Sequence, residues 1–271
     1  MKDKIALVFS GGGGKGAYEV GVWKALKTLD IEEKVSAISG NSIGALNAVF
    51  FMCCDLMGAL TLWRNVTQED TIPLKITDFI KLWYRYRSDV EKIIDTESIM
   101  TMDKLDMFFS ENINFDDVSK SKILGYVSAY NMDKEDIEYF KLNGRSENEI
   151  KDILKASTSL PLIFDPISIN NCKYRDGCIK DNIPIEPLYR EGYRKFIVVS
   201  LEKDEKIDKE KYKDATFFEI IPSCDIGTHI VNGSLDFNPK GANKRLKQGY
   251  LDTMRYFDKI KYNKNVVDTK N

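Results

Sequence analysis

The chain has 271 residues, 43% hydrophobic and 30% charged, with 40 basic side chains against 42 acidic ones. This is the make-up of an ordinary globular protein with enough chain to bury a substantial core, and a single domain over residues 1–271 is expected. A net charge of −2 argues against a nucleic-acid partner, because binding phosphates by counterion release needs a basic surface or stripe.

In chain order, Met1-Lys2-Asp3-Lys4 leads into a short apolar run, Ile5 to Phe9, which is too brief for the core of a signal peptide. That run is the first predicted strand, continuous in its apolar residues as expected of a strand covered on both faces. Val20, Trp23, Leu26 and Leu29 follow at helical spacing and share one face. Val35 to Ser39 is a second strand, and Ser42 to Cys54 a buried helix. Strand, helix, strand in so short a span is a βαβ unit, so the fold class is α/β. Residues 56–120 read as a helical insertion, with helices over Ile76–Tyr86 and Thr101–Ser110. Strands return at Ile123–Tyr130 and Ile137–Leu142, followed by a helix from about Glu147 to Ser157. A proline-rich stretch precedes strands at Phe196–Ser200 and Phe217–Ile221, then a helix from about Lys240 to Tyr262 and a frayed polar tail over 263–271.

The longest apolar run, Ala48 to Cys54, stops at Asp55, far short of the roughly 20 residues that span a bilayer. Any membrane contact is therefore expected to be peripheral. Five cysteines with no C-x-x-C spacing suit reduced thiols in a cytoplasm, with no metal site.

Gly40-Asn41-Ser42-Ile43-Gly44 is a G-x-S-x-G lying between a strand and a helix. There Gly40 and Gly44 let the backbone turn too tightly for side chains, lifting the Ser42 hydroxyl out at the helix N-terminus as a candidate nucleophile. Directly after the first strand comes Gly11-Gly12-Gly13-Gly14-Lys15-Gly16. Its backbone N–H groups and the helix dipole behind them suit an anion. A P-loop fails, because Phe9 stands where its first glycine belongs and Gly16 where its hydroxyl belongs. A dinucleotide fingerprint matches as Gly11-x-Gly13-x-x-Gly16, but the second strand ends in Ser39-Gly40-Asn41 without the acid that holds a ribose. An oxyanion hole serving Ser42 accounts for both glycine motifs with one mechanism.

The residues leave the base open. A Ser-His-Asp triad has to recruit His229, the sole histidine, and the order Ser42, acid, His229 is that of α/β-hydrolases. In that fold, however, the elbow follows several strands rather than two. His229 also sits near Gly227 and Gly233 in loop-like sequence, where an isolated imidazole is more often solvated. Asp176-Gly177 sets an acid on a tight loop, although a plain turn aspartate is the commoner meaning of that pattern.

With these motifs in order, and with Lys155-Ala156-Ser157-Thr158-Ser159-Leu160-Pro161, Phe164-Asp165-Pro166, Asp176-Gly177 and Asp181-Asn182-Ile183-Pro184 after them, the chain resembles the patatin-like phospholipases. The resemblance implies a three-layer αβα fold with a mainly parallel sheet and a helical insertion after the nucleophile helix. It further implies a lipid ester substrate, no cofactor, and a Ser-Asp dyad without histidine, Ser42 with Asp176. The oxyanion loop becomes Gly11 through Gly16. Two departures stand out: Lys15 where the family usually carries arginine, so a charge without the planar fork, and Cys178 where it carries glycine or alanine. Trp83, Tyr84 and Tyr86 among Lys81, Arg85 and Arg87 would suit a membrane interface, although a packed face with a solvated rim is the commoner meaning of such a stripe. Rival readings are a nicotinamide oxidoreductase using the Gly11 loop and a non-catalytic lipid-binding relative. Oligomeric state does not follow from the sequence.

Overall fold

The computed structural model describes residues 4–67, 102–161, 163–227 and 233–268, the last six by backbone alone. The expected helix over Ile76–Tyr86, the stripe around Trp83 and the loop carrying His229 lie outside them.

The elements run β1 (Ile5–Phe9), α1 (Ala17–Thr28), β2 (Val35–Asn41), α2 (Ile43–Met52), α3 (Leu56–Asn65), α4 (Asp103–Asn112), α5 (Phe115–Lys120), β3 (Leu124–Asn131) and β4 (Asp136–Lys141). They continue with α6 (Glu147–Thr158), β5 (Ile167–Ile169), β6 (Cys172–Asp176), α7 (Glu186–Arg190), β7 (Lys195–Val199), β8 (Thr216–Ile220) and α8 (Pro239–Asp268). The strands form one sheet in the order β5-β6-β3-β2-β1-β7-β8, with β4 also on β3. The pairs β3–β2, β2–β1, β1–β7 and β7–β8 are parallel; those of β3 with β4 and β6, and of β5 with β6, are antiparallel.

β1 is central, and its alternating side chains serve two layers. Leu7 and Phe9 join the larger core, which holds residues of α1, α2, α3, α4, α6 and α8. Ala6 and Val8 join a smaller core with Ile185 and Leu188 about α7 and with Tyr212. The architecture is therefore a three-layer α/β fold with a mainly parallel sheet, thick on one face and thin on the other. The expected α1 face is buried at Val20, Trp23 and Leu26. α6 starts at a capping box, with Ser146 and Glu149 satisfying each other's backbone N–H. β5 and β6 lie inside the stretch expected to be loop. They are short, and β6 reads C-K-Y-R-D with two charges buried, which hides it from any hydrophobic periodicity. The last helix runs six residues past its expected end. Among the described residues no helix is long and apolar enough to cross a membrane.

α8 closes the thick layer by backbone contact with α1. A Cβ on Gly249 would strike the Tyr18 carbonyl, and one on Gly21 the Leu246 carbonyl. Tyr18 donates to Asp252 Oδ2 across the same seam at 3.1 Å. Gly249→Ala is expected to push the helices apart and cost about 1–3 kcal/mol, the usual penalty of overpacking. Urea denaturation should show a lower midpoint at an unchanged m-value.

Candidate active site

Ser42 directly follows Asn41, the last residue of β2, and stands at the N-cap of α2, with φ 52° and ψ −123°. That backbone conformation is costly for a residue with a side chain, on the order of 1–3 kcal/mol, and persists only where the surroundings enforce it. The enforcement is visible on both flanks. A Cβ on Gly40 would overlap the Gly44 carbonyl, and one on Gly44 would lie 2.6 Å from the carbonyl oxygens of Phe9 and Ser10. The distortion also frees the hydroxyl. An N-cap serine ordinarily accepts from its own helix, whereas Ser42 makes no such bond, and its N–H donates to Ser157 Oγ at 2.9 Å.

Asp176 reaches Ser42 through strand register. Asn41 of β2 pairs with Ser128 of β3, and Asp176 of β6 pairs with the next residue, Ala129. β4 pairs with β3 from Tyr126 to Asn131, spanning both contacts, so β2 and β6 must share the opposite edge of β3, end against end. Asp176 is 1% exposed. Its Oδ1 accepts from the Cys178 N–H at 2.9 Å and from Asn41 Nδ2 at 3.3 Å. Its Oδ2 is buried with no hydrogen bond of ordinary geometry among the described residues. Burial pushes the carboxyl above the usual aspartate range, while Ser42, close enough to interact with it, the Cys178 amide and Asn41 pull it back.

The glycine loop meets this pair in part. Gly11, Gly12 and Gly13 line the same cavity as Ser42 and Asp176, whereas Gly14, Lys15 and Gly16 do not. The Gly11 N–H is taken by Asn182, that of Gly14 by the Ser234 carbonyl and that of Lys15 by the Gly12 carbonyl. The amides of Gly12 and Gly13, and of Ile43 at the head of α2, donate to no group among the described residues. Lys15 is buried with its ammonium paired to Glu202, so its charge is spent beside the cavity rather than within it.

Two asparagines tie the parts together. Asn41 bridges Ser128 Oγ, Asp176 and Asn182, with its Oδ1 accepting from Ser128 at 2.9 Å and its Nδ2 3.1 Å from Asn182 Oδ1. Asn182 in turn holds Gly11 and donates to Glu205 Oε2 at 3.1 Å. Neither role was visible in sequence. Asn41 is the variable position of G-x-S-x-G, and Asn182 had only its place in the Asp181–Pro184 block. Thr158, Cys178, Glu202 and Ser234 also line the cavity, and the rest of its walls are apolar, among them Ile43, Leu46, Leu62, Trp63, Leu105 and Phe237. Among the described residues no three His, Cys, Asp or Glu side chains gather as for a metal.

Residues 7–189 match the patatin-like phospholipase family, and the chain belongs to that family of lipid hydrolases. It is 27% identical over 183 residues to a probable lipid hydrolase of Invertebrate iridescent virus 6, covering 66% of this chain and 61% of the viral one. It is 25% identical over 211 residues to a lysophospholipase of Scheffersomyces stipitis, covering 73% of this chain and 12% of the yeast one. The chain thus spans less than two thirds of either relative. A solved human cytosolic phospholipase A2 superposes with a TM-score of 0.49 at 11% identity, over 92% of this chain and 56% of that one.

Asp176→Asn is expected to stabilise the fold at neutral pH. The raised pKa means that the folded state holds the Asp176 proton more tightly than the unfolded one. Stability therefore falls as pH rises from the unfolded value through the folded one, and the penalty persists above it. Asparagine keeps an acceptor for Cys178 and Asn41 and removes the buried charge. A higher urea midpoint for the variant at pH 7, converging with wild type towards pH 3, is the outcome to look for. Asn41→Ala should cost about 1–3 kcal/mol through partners left unsatisfied, and should lower kcat more than it raises KM.

Proposed function

We propose that the chain is a serine acyl hydrolase of lipid esters, a single catalytic domain working by a Ser42–Asp176 dyad. Ser42 Oγ attacks the ester carbonyl carbon as its proton passes to Asp176 Oδ2. The amides of Gly12, Gly13 and Ile43 face the negative oxygen that forms. The carbon–oxygen bond to the alcohol then breaks, and the alcohol leaves with the proton from Asp176. Water repeats the sequence on the acyl-serine, its proton going to Asp176 and on to Ser42 as the fatty acid departs. The steps balance with substrate, water and the chain's own groups.

The observation that carries this reading is the buried Asp176 Oδ2, without a hydrogen bond of ordinary geometry among the described residues, in one cavity with a serine hydroxyl that its own helix does not use. An aspartate of ordinary pKa, about 3.9, is a weak base. Burial strengthens it, and preorganised amides in a water-poor site supply what is commonly the largest catalytic term. The apolar walls suit an acyl chain, and the names of the viral and yeast relatives agree with a lipid ester. Free thiols at all five described cysteines suit a reducing compartment such as the cytoplasm, with lipid met at a surface.

A fluorophosphonate is expected to label wild-type protein and not Ser42→Ala. Asp176→Asn should lose at least 1,000-fold in kcat, within the scale of losing a catalytic base, while His229→Ala stays within about twofold of wild type. The opposite ranking of those two variants refutes the dyad. Because Asp176 must be ionised to accept the proton, kcat/KM should fall as pH drops through its raised pKa, with an acid limb above that of an unperturbed aspartate.

A further inference from the structure

Two hollows lie side by side in the thick layer. The inner one, about 240 Å³, holds Ser42 and Asp176. The outer one, about 760 Å³ and more open, lies between α3 and α4 and carries Met57, Thr61, Asn65, Lys104, Met107 and Glu111. Among the described residues Leu62, Val66 and Phe108 line both, so these three side chains stand between the two hollows. Leu62 and Val66 are at most 8% exposed, and Phe108 leans edge-on against buried Phe109 with ring centroids 6.3 Å apart.

Another wall of the inner hollow is fixed. Trp63 is stacked on Phe237, with centroids 6.2 Å apart and rings 6° from parallel. Its indole N–H donates to Asn47 Oδ1 at 3.0 Å. Asn47 is held in turn by the Gly16 carbonyl at 3.0 Å and by Glu19 Oε2 at 2.8 Å, both asparagine and glutamate being fully buried. A chain entering from Ser42 therefore cannot gain length by moving Trp63. Leu62, Val66 and Phe108, by contrast, have the outer hollow behind them.

We infer that Leu62, Val66 and Phe108 form a partition that sets the acyl-chain length this protein accepts, matching the inner hollow to medium chains. The inference rests on the reading of that hollow as the acyl site. A cavity of about 150 Å³ lined by aliphatic and aromatic side chains takes a benzene ring, and in proportion a hollow of this size takes about ten carbons. A longer chain must displace the partition or leave its end in water. The outer hollow, polar along much of its rim, takes that end only once the wall is shortened.

The test uses full-length Ser42→Ala protein, which cannot turn substrate over, titrated with methyl esters of saturated fatty acids from six to fourteen carbons by displacement of an apolar dye. Affinity should rise about fourfold per methylene, the worth of burying one CH₂, up to about ten carbons and level off beyond. Adding Phe108→Ala should carry the rise on to fourteen carbons, and Leu62→Ala reads the same wall should Phe108→Ala fail to fold. An unbroken rise past ten carbons in Ser42→Ala alone, or a break unmoved by both wall variants, overturns the partition. Wild-type labelling by a fluorophosphonate is read alongside. Labelling without ester binding at any length removes the hollow as acyl site and spares the nucleophile, whereas a clear length break without labelling spares the partition and removes the hydrolase.

Discussion

The site depends on two strands sharing one edge of a third. β2 runs along β3 as far as Ser128, and β6 takes over at Ala129 from the opposite direction. Their facing ends are Asn41-Ser42 and Asp176. Hydrogen-bond register sets such spacing to within a fraction of an ångström, and a slip of one residue would turn Asp176 to the other face of the sheet. The Ser159 carbonyl, accepting from the Asp176 N–H at 3.0 Å, fixes the same end from the side of α6.

Holding the two groups there is costly. Ser42 occupies a backbone conformation that most residues avoid, and Asp176 is an almost wholly buried carboxyl with one oxygen unpartnered among the described residues. A packed, hydrogen-bonded surround sustains both. Asn41 and Asn182 meet the remaining donors and acceptors, and β1 and β2 beneath them are almost wholly buried. Strain and burial are thus concentrated on the two side chains to which the proposed mechanism gives the chemistry, as is common where function and stability compete.

In the proposed mechanism the glycine loop acts through main-chain groups rather than through a charge. Of its six residues, three face the cavity, and the hydrogen bonds that take up the Gly11, Gly14 and Lys15 amides lock the loop so that those of Gly12 and Gly13 need no reorganisation. Lys15 adds no free cation, being neutralised by Glu202. Fixed dipoles in an apolar surround are strong because little water screens them.

The sequence by itself determined the α/β class, the order of the long strands, the elbow at Gly40–Gly44 and the loop after β1. Each is local: glycines answer to backbone geometry within a few residues, and apolar runs answer to burial. It also put Asp176 on a turn, but the residues there gave no reason to join it to Ser42 across 134 positions, and only the family resemblance did so. β5, β6 and the roles of Asn41, Ser157 and Asn182 belong to the tertiary structure. Their side chains are polar, and a polar group in the interior is defined by its partner rather than by its neighbours in the chain. The same holds for the narrowing of the loop from six residues to three, and for the wall between the two hollows. Which amides stay unpaired, and which apolar side chains divide a space, is decided only when distant segments pack.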